Sequence, residues 1–128
     1  MEYVSLVVII ALIEYLFFMF ATGRARAQYK IHAPATSGDV NFERVFRVQA
    51  NTVEQLIVFI PAIYLAGYYS HALSAAGIGS FFIIGRFVYY RAYISDASKR
   101  GPGMTIGFFS SVILMLMALV GVIQNLLE

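Results

Sequence analysis

Hydrophobic residues occur in four long stretches separated by short polar segments. The stretches cover roughly 3–22, 48–70, 72–90 and 103–127. A helix needs about 20 residues to cross the hydrocarbon core of a bilayer, so each stretch is long enough. The pattern predicts an all-α membrane protein, a four-helix transmembrane bundle occupying residues 1–128 as one domain. The predicted helices cover about 3–29, 42–70, 72–94 and 103–127.

The first stretch resembles a signal peptide in length but not in its flanks. Glu2 precedes the apolar run, and the cations follow it. A secretory signal has the reverse order, so the stretch is expected to remain as a helix. The chain is 60% hydrophobic and 12% charged. Soluble domains average about 25% charged residues, which excludes a water-soluble globule.

The basic residues indicate the orientation. All nine fall on one predicted side of the membrane or in helices entering from that side. They are Arg24, Arg26, Lys30, Arg44, Arg47, Arg86, Arg91, Lys99 and Arg100. By the positive-inside rule, loops 24–47 and 91–100 face the cytoplasm and both termini face the opposite side. Cations at a membrane face, with a net charge of only +2, suit lipid headgroups or a small anion better than nucleic acid.

The residue inventory also restricts the chemistry. The chain has no cysteine, which excludes disulfides, thiolate metal sites and a protein thiol nucleophile. Its two histidines, His32 and His71, lie in loops on opposite predicted sides. They cannot form a metal site together within one chain, so no metal is predicted.

A polar stripe marks the second predicted helix. Arg44, Arg47, Asn51 and Glu54 are spaced at i, i+3, i+7 and i+10, which places them on one face over about 15 Å. A ladder of interhelical salt bridges is one explanation, and a binding site is the other. Glu14, in the middle of the first span, is expected to form an interhelical hydrogen bond, because a lone carboxylate at that depth is costly.

A second stripe marks the third predicted helix. Arg86, Tyr89 and Tyr93 are spaced at i, i+3 and i+7 on one face. Tyrosines form belts at membrane interfaces, and a long arginine can snorkel outward. A belt explains Arg86 poorly, because Arg86 lies about one turn deeper, and outward snorkelling of its side chain is the alternative to a role in binding. The fourth helix has small residues suited to close packing.

The two stripes lie at similar predicted depth on the same side. Arginine binds carboxylates through two parallel hydrogen bonds, and Glu54 can accept from an ammonium group. The set is complementary to a small zwitterion with more than one carboxylate. Because the protein offers no obvious nucleophile, the reactive atom belongs to the ligand. A nearby arginine would lower the pKa of a ligand thiol by stabilising the thiolate.

The segment Phe42–Glu54 (FERVFRVQANTVE) closely resembles the helix 2 motif of the MAPEG family, the membrane-associated proteins of eicosanoid and glutathione metabolism. The resemblance covers nearly the whole chain and extends to the microsomal glutathione transferases and the leukotriene synthase branch, here in a bacterial form. It implies a homotrimer in a bacterial inner membrane, with glutathione bound between subunits near the cytoplasmic face.

The resemblance also implies roles for individual residues. Arg100 matches the arginine that stabilises the thiolate and is the expected catalytic residue. The expected glutathione-binding residues are Arg26, Arg47, Gln49, Asn51, Glu54, Arg86, Tyr89 and Tyr93, with Gln49 reaching the ligand of an adjacent subunit. Glu43 and Arg44 are expected to form structural pairs within the motif.

Two departures from the leukotriene synthase pattern limit the resemblance. Ala27 stands where that branch has a second arginine, and Gln55 stands where it has a tyrosine. The first weakens any claim to the same lipid epoxide chemistry. The second removes one glutathione contact but none of the charged ones.

These observations favour a glutathione transferase for hydrophobic electrophiles, with glutathione peroxidase activity as a related expectation and detoxification as the general role. The alternative is a non-enzymatic lipid-binding or scaffold protein. A small transporter subunit is a weaker hypothesis, because the polar residues near one face leave no polar path across the membrane. The sequence does not identify the electrophile, since apolar pockets discriminate weakly between similar hydrocarbons.

Overall fold

The computed structural model describes all residues from Met1 to Glu128 and contains four long helices. They are α1 (Glu2–Tyr29), α2 (Val40–Tyr69), α3 (Ala72–Ser95) and α4 (Gly101–Leu127), with a short 3₁₀ turn at Ala97–Lys99. Each of the four is long and apolar enough to cross a membrane. The all-helical, four-span architecture predicted from the hydrophobic pattern is confirmed.

The helix boundaries differ from those predicted by at most two residues, and capping explains the difference at the start of α2. The Asp39 carboxylate accepts hydrogen bonds from the backbone N–H groups of Asn41 and Phe42. Asp39 is therefore the N-cap, and α2 begins at Val40, two residues before the predicted start. Helix α4 also begins two residues early, at Gly101, directly after the 3₁₀ turn.

The helices run antiparallel, so the two basic loops lie at the same end of the bundle, which we call the basic end. There the Arg44 guanidinium, at the start of α2, donates to the carbonyl oxygen of Ser95, at the end of α3 (3.3 Å). At the other end, Met1 packs close to Gly67, near the end of α2. The basic loops thus lie together at one end of the bundle, as the four-helix pattern predicted.

Two apolar clusters form the interior. The larger one fills the middle and the far end of the bundle, where the rings of Phe59 and Phe82 stack 4.0 Å apart. The smaller one lies toward the basic end and consists of Phe18, Val48 and Tyr89, one from each of α1, α2 and α3. Many large apolar side chains are exposed on the outside of the bundle, as expected for helices that contact lipid.

Helices α3 and α4 approach each other closely at glycines. A Cβ atom added to Gly85 would lie 2.7 Å from the backbone nitrogen of Gly107. One added to Gly103 would clash with the backbone of Tyr89. The predicted small packing residues of α4 are all buried, which permits this close contact. They are Gly107, Ser110, Ser111, Ala118 and Gly121.

We expect Gly103→Ala to destabilise the bundle by about 1–3 kcal/mol, because the added methyl group would have to push α4 away from α3. Thermal unfolding in detergent, followed by circular dichroism, would measure the effect. Gly101→Ala is the matched control, since a Cβ there meets nothing within 4 Å. Equal stability of the two variants would contradict the close helix contact.

Candidate functional site

A polar cavity of about 200 Å³ opens at the basic end between α2, α3 and the start of α4. Five of its six lining residues were predicted as site residues from the sequence. The lining consists of Arg47, Asn51, Tyr89, Tyr93, Arg100 and Met104. The fold therefore brings two residues from each polar stripe together with Arg100, from the turn before α4, around one cavity.

Helix α2 contributes a cation and an amide to the cavity lining, and the predicted site residue Glu54 lies beside the cavity without lining it. The guanidinium of Arg47 lies 3.6 Å from the carboxylate of Glu54, and both side chains are about half exposed. Exposed ion pairs contribute little stability, so either group can exchange its partner for a ligand. Asn51 is buried, and its Oδ1 atom has no hydrogen-bond partner. Such atoms are uncommon in proteins, and a ligand donor would satisfy this one.

Helix α3 contributes two aromatic side chains. The rings of Tyr89 and Tyr93 stack with their centroids 5.4 Å apart. Tyr89 is buried, whereas Tyr93 is partly exposed. The i, i+4 spacing puts both phenols on one helical face, where they form an aromatic wall with a polar edge.

Arg100 reaches the cavity from the turn that precedes α4. Asp96 organises this turn by accepting hydrogen bonds from the Ser98 backbone N–H and hydroxyl at 3.0 and 2.8 Å. These bonds lower the pKa of the Asp96 carboxyl below its ordinary value and keep it ionised. Arg100 itself is exposed and forms no ion pair. The cavity therefore has, besides Arg47, a second cation that is free to bind an anion.

Arg86 does not line the cavity. Its side chain is only 1% exposed, and it donates to the Thr52 hydroxyl through Nε (3.3 Å) and Nη2 (2.9 Å). The guanidinium lies 4.3 Å from the centroid of the Tyr89 ring. Arg86 therefore does not snorkel outward, and it supports the aromatic wall from within the bundle. Sequence reasoning missed Thr52, a residue common in apolar helices, although it directly follows Asn51 in the motif.

Arg26 and Gln49 also lie outside the cavity of the single chain. The guanidinium of Arg26 donates to the carbonyl oxygens of Ile31 (3.4 Å) and Ala35 (2.8 Å) and lies over the ring of Phe42. These two hydrogen bonds stabilise the conformation of the α1–α2 loop. Gln49 lies about 200° around α2 from the cavity-lining positions, so it faces away from this chain's cavity.

Two structural roles predicted from the sequence are wrong. Arg44 does not pair with Glu43, because its guanidinium is drawn to the exposed carbonyl of Ser95 at the end of α3. Glu14 forms no interhelical hydrogen bond, and its buried Oε1 atom has no partner. No donor on a neighbouring helix lies within hydrogen-bond distance of this oxygen atom.

Comparison with known proteins finds one matching family and several similar chains. The MAPEG family model matches residues 4–120. An uncharacterized protein of Synechocystis is 40% identical over 95% of this chain and 89% of its own length. Human microsomal glutathione S-transferase 2 is 35% identical over 88% of this chain and 76% of its own length. Rat leukotriene C4 synthase is 32% identical over 80% of this chain and 69% of its own length.

The family match spans most of the chain and includes all four helices that line or support the site. Together with the four helices able to cross a membrane, it identifies an integral, multi-pass membrane protein. The chain belongs to the MAPEG family.

Proposed function

We propose that the protein is a membrane-bound glutathione transferase that activates glutathione as its thiolate and conjugates it to hydrophobic electrophiles. One observation carries the proposal: a single cavity collects two arginines, a buried amide and two phenols. The chain's similarity to a microsomal glutathione S-transferase and to a leukotriene C4 synthase supports the same class of reaction.

The charges of the site complement those of glutathione, which carries two carboxylates, an ammonium group and a thiol. Arg47 can bind a carboxylate through two parallel hydrogen bonds. Glu54, released from Arg47, can accept from the ammonium group. Asn51 Oδ1, buried and without a partner, suits an amide N–H of the peptide. The phenols of Tyr89 and Tyr93 complete the wall.

Arg100 is the residue we assign to catalysis. Its guanidinium would stabilise the glutathione thiolate, so that the thiol loses its proton to solvent at neutral pH. The thiolate then attacks the electrophilic carbon, forming a C–S bond while a halide leaves or an epoxide C–O bond opens. No protein nucleophile is needed, consistent with the absence of cysteine.

Peroxidase activity would use the same thiolate. Attack on a lipid hydroperoxide oxygen releases the alcohol and leaves glutathione as a sulfenic acid, and a second glutathione converts this to the disulfide and water. The apolar outer surface of the bundle would let such lipids and other electrophiles reach the site from the bilayer. We therefore propose a detoxification role in a bacterial inner membrane, with the site toward the cytoplasm and the termini on the other side.

We further propose a homotrimer, in which neighbouring subunits complete each site. The half-exposed Arg47 and Glu54 lie on a membrane helix, where a protein partner is a more favourable environment than lipid. Gln49 faces away from its own cavity and would therefore reach the ligand of an adjacent subunit. Arg26 would join the site only if it released the loop carbonyls that it now binds.

A glutathione-dependent activity screen of the purified protein tests this function. The substrates are a chlorinated aromatic, a lipid epoxide and a lipid hydroperoxide, each with and without glutathione. We expect conjugation or reduction in at least one series. Glutathione binding without turnover, or tight binding of fatty acids and none of glutathione, would instead support a lipid-binding or scaffold protein.

A further inference from the structure

A polar layer crosses the bundle directly beneath the wall of the site. The small apolar cluster contains Phe18, Val48 and Tyr89. One helical turn deeper along the same three helices come, in order, Glu14, Thr52 and Arg86. The next turn belongs to the large apolar cluster, through Ala11, Leu56 and Phe82. Glu14, Thr52 and Arg86, which we call the polar layer, therefore lie between two apolar clusters.

Contacts within the layer orient Arg86. The Thr52 hydroxyl donates its hydrogen to the carbonyl oxygen of Val48 (2.7 Å), which leaves its lone pairs for the guanidinium. Arg86 Nε and Nη2 both donate to this one oxygen. Thr52 is the only hydrogen-bond acceptor of a side chain that has five donors. A buried guanidinium needs more compensation than one hydroxyl supplies.

Glu14 is placed to supply that compensation. Its neighbours at i−3 and i+4 on α1, Ala11 and Phe18, are each only 1% exposed, so this face of α1 points into the bundle. Glu14 and Arg86 lie at the same depth, between the same two apolar clusters, and they form no direct ion pair. The carboxylate of Glu54, on α2, is paired with Arg47 at the surface. In a low-dielectric interior, a charge acts over longer distances than in water.

We infer that Glu14 is a positioning residue of the site: with Thr52 it fixes Arg86, and Arg86 holds the ring of Tyr89 in the cavity wall. Glu14 touches neither the cavity nor the reacting atoms and acts through Arg86. The expected effect on glutathione binding rests on the proposed function. The positioning of Tyr89 is independent of that function, because it depends only on contacts within the bundle.

Glu14→Gln tests the inference, because it removes the charge and keeps the size of the side chain. The protein is labelled with 3-fluorotyrosine, and the Tyr89 signal among the nine tyrosines is assigned with Tyr89→Phe. We expect Glu14→Gln to shift the ¹⁹F signal of Tyr89. We also expect it to raise the KM for glutathione about fivefold while kcat changes less than about twofold, as for the loss of ground-state binding.

Glu2→Gln is the matched control, because it makes the same chemical change at an exposed position of the same helix. It should alter neither the Tyr89 signal nor the KM. A Glu14→Gln protein that melts earlier, but has the wild-type Tyr89 signal and KM, would show a merely structural role and overturn the inference. A wild-type protein without glutathione-dependent activity would refute the proposed function, and the Tyr89 signal would then decide the role of Glu14 by itself.

Thr52 provides a second test if Glu14→Gln does not fold. Thr52→Val removes the oxygen that accepts from Arg86, whereas Thr52→Ser retains it. We expect the valine variant to shift the Tyr89 signal and raise the KM, and the serine variant to stay close to wild type. Identical behaviour of the two variants would contradict a fixed Arg86.

Discussion

Replacing Arg100 with alanine is expected to lower kcat for glutathione conjugation by about 100- to 1000-fold, a range typical for the loss of one group that stabilises a developing anion. The physical reason is that Arg100 is the exposed, unpaired cation of the cavity and would hold the thiolate. Steady-state kinetics with saturating glutathione and a chlorinated aromatic would measure the effect.

Lys99→Ala is the control for this prediction. Lys99 is an exposed cation adjacent to Arg100, but it does not line the cavity. Its removal changes the net charge of the same turn by the same amount, and we expect kcat to stay within about twofold of wild type. An equal loss in both variants would assign the effect to the general field of the basic end. Full activity of Arg100→Ala would refute the catalytic assignment.

Replacing Arg47 with alanine is expected to raise the KM for glutathione by about 10- to 100-fold, the range expected when hydrogen bonds to a charged group are lost. Arg47 would bind a glutathione carboxylate, an interaction that is the same in the ground state and the transition state. The loss should therefore appear in KM more than in kcat. Varying glutathione at a fixed concentration of electrophile measures both constants.

Arg44→Ala is the matched control on the same helix. Arg44 lies about one turn away and binds the carbonyl oxygen of Ser95, outside the cavity. We expect the KM of this variant to remain within about threefold of wild type, allowing for a looser contact between α2 and α3. An unchanged KM in Arg47→Ala would show that the carboxylate is bound elsewhere.

The periodicity of the sequence was sufficient to predict most of the fold and four of the six residues that line the cavity. The apolar stretches define the four helices, and i, i+3, i+7 spacing places Arg47 with Asn51 and Tyr89 with Tyr93. Whether the two pairs lie close together depends on how α2 packs against α3. Both stripes were predicted at the same depth on the same side of the membrane, and this was enough to predict that they would be close. The cavity in the structure confirms that these residues lie together.

What the sequence could not supply was the direction of individual side chains. Arg86 belongs to the same helical face as Tyr89 and Tyr93 by its spacing. It lies one turn deeper, however, and its side chain donates to the Thr52 hydroxyl inside the bundle. Arg26 donates to carbonyl groups of the α1–α2 loop, and this contact depends on the path of that loop. Periodicity assigns a residue to a helical face, and tertiary packing decides which neighbour its side chain reaches.

Glutathione itself provides the most direct test of the central claim. Purified protein is titrated with glutathione at neutral pH, and the thiolate is followed by its absorbance at about 240 nm. We expect a saturable rise of this absorbance in wild type and in Lys99→Ala, and its loss in Arg100→Ala at glutathione concentrations that still saturate binding. Wild-type protein that gains no thiolate absorbance at any glutathione concentration would contradict this claim.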